Sequence, residues 1–155
     1  MVVIDLGCFT YHEKHDSVQQ LIDRFHPSHL YGFDPALTKV FKDDVVTLRP
    51  EAAWTQGGSI DWLSDNTASR VGTGNGTAVP CFDFSAWLAA YKRRHPQARI
   101  ILKMDIEGAE YPVLLKMITD GTDRHVELLL VEWHGSRSGR EPIMSRLACP
   151  VEEWV

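Results

Sequence analysis

Short apolar runs alternate along the chain with stretches whose apolar residues recur at helical spacing, the pattern of strands separated by amphipathic helices. Val2, Val3 and Ile4 lead to Val18, Leu21, Ile22 and Phe25 at i, i+3, i+4 and i+7, which predicts a strand and then a helix. Ser17 with Gln20 three residues on reads as a capping box at its start, and His26-Pro27 as its stop. Residues 30–33 form a second run ending in Asp34-Pro35, followed by a weaker helical stretch around Leu37, Val40 and Phe41; residues 45–48 form a third run, ending at Arg49-Pro50. Residues 55–78 break the rhythm with Gly57-Gly58, Asp65-Asn66, Gly72, Gly74 and Gly76, which predicts an inserted hairpin or surface loop. Phe84, Trp87, Leu88 and Tyr91 then mark a third helix, and residues 100–104 the clearest strand. After Gly108 a helix with Pro112 in its first turn sets Tyr111, Leu114, Leu115 and Ile118 on one face, and residues 126–131 form a last strand ending at Glu132, Trp133 and His134. Near-continuous apolar strands joined by helices predict an α/β fold with a mostly parallel sheet covered on both faces, doubly wound through right-handed crossovers.

At 155 residues the chain has room for one domain, and 44% hydrophobic with 24% charged residues is the profile of a folded protein. Sixteen basic against 21 acidic residues, with no basic run longer than Lys92-Arg93-Arg94, excludes an electrostatic footprint for nucleic acid and favours a small-molecule partner. Cys8, Cys81 and Cys149 are an odd number without paired spacing, which excludes a disulfide framework or zinc cluster and fits a reducing compartment. The first residues lack a basic segment followed by an apolar stretch, and nowhere do 18 apolar residues succeed one another. The expectation is a cytoplasmic protein with no membrane partner. Residues 72–77, rich in glycine, lack both a preceding strand and the Gly-Lys-Ser/Thr ending of a phosphate loop, so a loop tip explains them.

Ligands of open α/β sheets bind beyond the carboxyl ends of the strands, where the strand order reverses. The residues at those positions are acidic: Asp5, Asp34, Glu51, Asp105 with Glu107 and Glu110, and Glu132. Gly7 permits a tight turn close to a ligand, and Asp34 is placed to accept hydrogen bonds from paired ribose hydroxyls. Taken singly, Gly7 is a plain turn and Asp34 a turn-initiating Asp-Pro; together on adjacent strands they suggest an adenosine-type ligand. Cys8, Phe9, Thr10 and Tyr11 stand where a dinucleotide fingerprint needs glycines, which disfavours a nicotinamide-dependent oxidoreductase and points to a ligand without pyrophosphate.

The segment Lys103-Met104-Asp105-Ile106-Glu107-Gly108-Ala109-Glu110 resembles the Lys-x-Asp-Val/Ile-Glu-Gly-x-Glu hallmark of the FkbM-type S-adenosylmethionine-dependent methyltransferases. Residues 3–7, 31–35, 51–54 and 131–134 resemble further blocks of that family in the same order. The resemblance implies a Rossmann-like sheet of the class I methyltransferase type, S-adenosylmethionine as methyl donor, and a hydroxyl oxygen of a small molecule or sugar as acceptor. Carried over by position, Asp5, Gly7 and Cys8 line the methionine side of the cofactor, Asp34 holds the ribose, Ala53 and Trp54 lie near the adenine, and Asp105 faces the transferring methyl group. Tyr11 replaces a second glycine of the family, and the chain begins at the first strand without the family's leading helix. Only 22 residues follow Trp133, little for the usual C-terminal antiparallel strand pair, so an uncovered edge or a homo-oligomer that completes it is expected.

Transfer to a hydroxyl needs a group that removes its proton as the new bond forms. His134 is the leading candidate because imidazole titrates near neutral pH, with Asp105 next; a surface histidine beyond a strand end is the plainer explanation. Glu107 and Glu110 are explained by the favourable dipole at a helix start. No metal is expected; should a divalent ion such as magnesium bind, Asp105, Glu107 and Glu132 are the candidate ligands, with Glu110 and His134 beside them. Of the five tryptophans, Trp87 belongs to the core by its spacing, and only Trp54 and Trp133 stand at strand mouths. Residues 136–140 read as a mobile loop, with arginines that meet an acidic acceptor as the weaker alternative. The expected function is an S-adenosylmethionine-dependent methyltransferase; the alternative is a shortened, non-catalytic module of the same fold that serves as a binding or partner subunit.

Overall fold

A computed structural model describes residues 1–8, 16–64, 69–71, 76–135 and 137–154; Tyr11, Asp65, Asn66, Gly72, Gly74 and Ser136, singled out from the sequence, lie outside them. The main sheet has seven strands: β1 (Val2–Leu6), β2 (His29–Phe33), β3 (Phe41–Lys42), β4 (Val46–Arg49), β9 (Ile100–Met104), β10 (Leu128–Val131) and β11 (Val151–Glu153). Between β4 and β9 in the chain lie β5 (Ala52–Trp54), β6 (Gly58–Ser64), β7 (Ser69–Val71) and β8 (Thr77–Asp83), which form a second sheet. The helices are α1 (Ser17–Phe25), α2 (Phe84–Arg94), α3 (Glu110–Asp120) and α4 (Arg137–Met144).

The main sheet runs β11-β10-β9-β1-β2-β4-β3 and is parallel except for β3 against β4. Strand alternation explains why helices cover both faces. Val2, Ile4 and Leu6 of β1 join Phe84, Leu88 and Tyr91 of α2 and Val113, Leu114 and Met117 of α3 in one cluster. Val3 joins Leu30, Val46, Leu48, Ile101 and Leu130 with Val18 and Leu21 of α1 in the other. The strand order reverses at β1, which has β2 on one side and β9 on the other.

Local chemistry accounts for several element ends. The N-cap of α1 is Asp16, not Ser17: its carboxylate accepts from the amides of Val18 at 2.8 Å and Gln19 at 3.3 Å, which frees the Ser17 hydroxyl to donate to Asp5 at 2.6 Å. Asp83 caps α2 through the Ala86 amide at 2.9 Å. The helix expected around residues 37–41 is absent; Asp43 accepts from the amides of Val45 and Val46, closing a tight turn that folds β3 back antiparallel to β4.

Three other expectations are corrected. Residues 52–54 do not end a strand of the main sheet; past Pro50, β5 pairs in parallel with β8, and the insertion expected as a hairpin contributes a sheet ordered β5-β8-β6-β7. On α3, Leu114 is buried and Tyr111 and Ile118 pack against the same core as expected, but Leu115 turns to solvent at 40% exposure, and Val113 and Met117 are buried beside Leu114. Residues 137–144 form a helix rather than a loop, and Arg140 pairs with Glu153 instead of standing free for an acceptor.

The sheet edge beyond β10 is filled by β11, which pairs in parallel, so no antiparallel pair closes that edge among the described residues. The buried Asp123 carboxylate accepts from the Ala148 amide at 2.9 Å and holds the chain as it returns to this edge.

The revised helix face carries a prediction. Leu114→Ala should cost about 2–5 kcal/mol in urea unfolding, whereas Leu115→Ala should change stability by no more than about 0.5 kcal/mol.

Candidate active site

Lys103 interrupts the apolar run of β9 and is fully buried. A buried ammonium needs partners, and the strand neighbours supply them. Its Nζ donates to the Gly7 carbonyl at 2.8 Å, lies 3.1 Å from Asp5 Oδ1, and meets Asp105 Oδ2 at 3.2 Å. Burial alone would lower the Lys103 pKa; the charges of Asp5 and Asp105 reverse that and hold it above its ordinary value.

Gly7 follows β1 at φ +89°, and a Cβ there would lie 1.8 Å from the Asp105 carbonyl oxygen, so the tips of β1 and β9 close up only around glycine. The register Leu6 opposite Phe33 sets Gly7 beside Asp34, and the ladder continues with the Gly7 amide donating to the Phe33 carbonyl at 2.9 Å. Asp34 is buried, with one carboxylate oxygen accepting from the Ala36 amide at 2.7 Å. Its pKa is pushed up to about 6, first by burial and then by the neighbouring charges of Asp5 and Asp105, against the Ala36 amide and Lys103.

Beyond β9 the chain turns through Glu107 (φ +56°) and Gly108 (φ +96°) into α3. Glu110, fully buried, accepts from the Ile106 amide and the Gly108 amide, each at 2.8 Å, and from His134 Nδ1 at 3.1 Å. His134 lies just past β10, and its other nitrogen faces Glu107 at 3.5 Å, Glu132 at 3.7 Å and Asp105 at 3.9 Å. Burial works to lower the imidazole pKa, but the Glu110 hydrogen bond and charge, with Glu107 and Asp105, raise it above the ordinary value. The Glu107 carboxyl is likewise raised, by burial first and then by Asp105, Glu110 and Glu132, against the lowering effect of His134. One donor atom each from Asp105, Glu107 and His134 lies within 4.8 Å of the others, a spacing that could hold a cation.

The fold thus gathers Asp5, Gly7, Asp34, Asp105 and His134 along the tips of four neighbouring strands, with Glu107, Glu110 and Glu132 around the histidine. Cys8 instead turns its thiol into the core, where it packs against Gly32 and where burial pushes its pKa far up, so only its backbone can meet a ligand. Ala53 is buried among the core residues, and Trp54 packs with Val79, Cys81, Ile60 and Trp62 of the second sheet. Lys103 and Ser17 were given no part in the site on sequence grounds. A lysine inside an otherwise apolar buried strand was the available signal for the first; no signal marked Ser17, because a hydroxyl before an apolar periodic run reads equally well as a cap.

The mostly parallel sheet reverses its order at β1, with a row of carboxylates and one histidine at the strand tips there, the place where open α/β sheets bind ligands. Residues 47–147 match the methyltransferase FkbM domain, and the chain belongs to that methyltransferase family. The matched segment includes Lys103, Asp105, Glu107, Glu110 and His134, whereas Asp5, Gly7 and Asp34 precede it. No curated protein and no solved structure matches the chain. Among the described residues no helix is long and apolar enough to cross a membrane.

Removing the buried cation should be costly. Lys103→Met should lose about 3–5 kcal/mol in urea unfolding by stranding the Asp5 carboxylate, and Lys103→Met combined with Asp5→Leu should recover part of that loss.

Proposed function

We propose that the chain is an S-adenosylmethionine-dependent methyltransferase that methylates a hydroxyl of a small molecule or sugar. The observation that carries this reading is the adjacency of Gly7 and Asp34 at the strand-order reversal, next to a tip that presents Asp105 and His134. The chemistry of the donor set suits the cofactor: a carboxylate with one oxygen left for ribose hydroxyls, and an acidic rim that favours a sulfonium cation. Bound there, S-adenosylmethionine would supply an electrophilic methyl group.

The protein's own contributions follow from position. Asp34 orients the nucleoside through its free carboxylate oxygen, and Gly7 gives the backbone room to approach it. Lys103 pairs with Asp5 and Asp105 at once and offsets part of their combined charge. His134 takes the acceptor's proton at the nitrogen that faces Asp105, and the surrounding carboxylates stabilise the imidazolium that results.

Thermal unfolding with S-adenosylhomocysteine tests the cofactor site. Ligand at 100 times its dissociation constant should add about 2.7 kcal/mol of stability, and Asp34→Ala should abolish the gain. No shift at millimolar ligand would favour a non-catalytic module. Because Asp34 must be ionised to accept two hydroxyls, affinity should fall as pH drops through about 6 in the wild type. In Asp34→Asn that dependence should vanish, as isothermal titration calorimetry across pH 5 to 8 would reveal.

Catalysis is tested separately, by methyl transfer from S-adenosylmethionine to a panel of sugars and small alcohols. Asp105→Asn and His134→Ala should each leave cofactor affinity nearly unchanged, and His134→Ala should slow turnover by about 10²–10⁴-fold. Wild-type rates in both would remove the assigned base.

A further inference from the structure

The buried carboxylate at the start of α3 does more than its place at a helix N-terminus requires. A helix dipole is satisfied by an exposed acid, yet Glu110 is fully buried and reaches two separate segments, the 106–108 turn and the residue beyond β10. Its partners decide the chemistry. A carboxylate only accepts hydrogen bonds, and two of its bonds come from backbone amides. Its third neighbour, His134 Nδ1, must therefore carry hydrogen, which leaves Nε2 as the nitrogen of the neutral ring with a free lone pair.

The structure assigns Glu110 as a positioning residue that fixes, in the neutral ring of His134, the hydrogen on Nδ1 and turns a bare Nε2 toward Asp105. The assignment rests on the reading of His134 as the base. Glu110 touches neither acceptor nor cofactor; it acts through the ring. Among the described residues, the other charged groups that face the ring are Asp105, Glu107 and Glu132, all on the Nε2 side, and Lys103 reaches them only through Asp105. Since these carboxylates lie 3.5–3.9 Å from Nε2, none makes a hydrogen bond that would fix the hydrogen there, and Glu110 is the group that breaks the symmetry between the two nitrogens.

The test is long-range ¹H–¹⁵N correlation on the full chain labelled at its histidines, at alkaline pH where the rings are neutral. The His134 signals are assigned by their loss in His134→Ala. Wild type should show hydrogen on Nδ1 and none on Nε2. Glu110→Gln, whose amide cannot accept from all three donors, should move His134 toward the other tautomer while histidines remote from the site, such as His29 and His95, keep their signals. Hydrogen on Nε2 in the wild type overturns the assignment without any variant being needed. An unchanged tautomer in a folded Glu110→Gln also overturns it. The S-adenosylhomocysteine thermal shift, measured in the same samples, keeps the two readings apart. Loss of that shift in the wild type with the expected tautomer refutes the methyltransferase reading alone, and a retained shift with the wrong tautomer refutes only the role of Glu110.

Discussion

The ammonium of Lys103 has no access to water, and two strands depend on where it sits. Its contacts run to the Asp5 carboxylate on β1, the Gly7 carbonyl just past β1, and the Asp105 carboxylate just past β9. Desolvating this charge would be prohibitive if the partners were missing, and burying Asp5 without the lysine would be equally so. The two costs cancel only when the tips of β1 and β9 are in register, so the ion pair ties correct strand pairing to a formed site. Ser17 extends the arrangement to α1 by donating to the other oxygen of Asp5.

Electrostatics then sets the character of the site. Asp34 carries a raised pKa because it is buried near Asp5 and Asp105, with Lys103 offsetting only part of their charge. On the far side, Glu107, Glu110, Glu132 and Asp105 surround a single imidazole. Such an excess of negative charge in a half-buried place favours a positively charged ligand or a protonated ring, and it disfavours an anionic phosphate. The acidic strand ends of the sequence and the absence of a phosphate-binding glycine loop point the same way.

Strands β1, β2, β4, β9 and β10 were legible because each is a run of apolar residues between clear breakers, whereas β11 was not, and most strand tips were legible because an acidic residue stands at or near the end of the run. Helices α1 and α2 followed from their spacing. The second sheet was not, since β5 and β8 are short and their pairing joins residues 29 positions apart, as Ala52 opposite Cys81. On α3 only Leu115 was misread, because it satisfies the helical period as well as Val113 and Met117 do, and only packing chooses between neighbouring apolar positions. Cys8 and Trp54 adjoin cofactor-type positions in the sequence, but they turn to the core and to the second sheet.

Residue order alone determined which side chains stand at strand ends, because the break between an apolar run and a polar residue is a local property of the chain. It also determined the family, carried by the Lys103 to Glu110 motif and matched over residues 47–147. What tertiary structure decided is which of those side chains meet. The pairing of Glu110 with His134 spans 24 positions and that of Lys103 with Gly7 spans 96. Neither spacing has a period to reveal it, since such contacts arise when strands distant in sequence are brought side by side and unpaired polar groups in the interior must find one another.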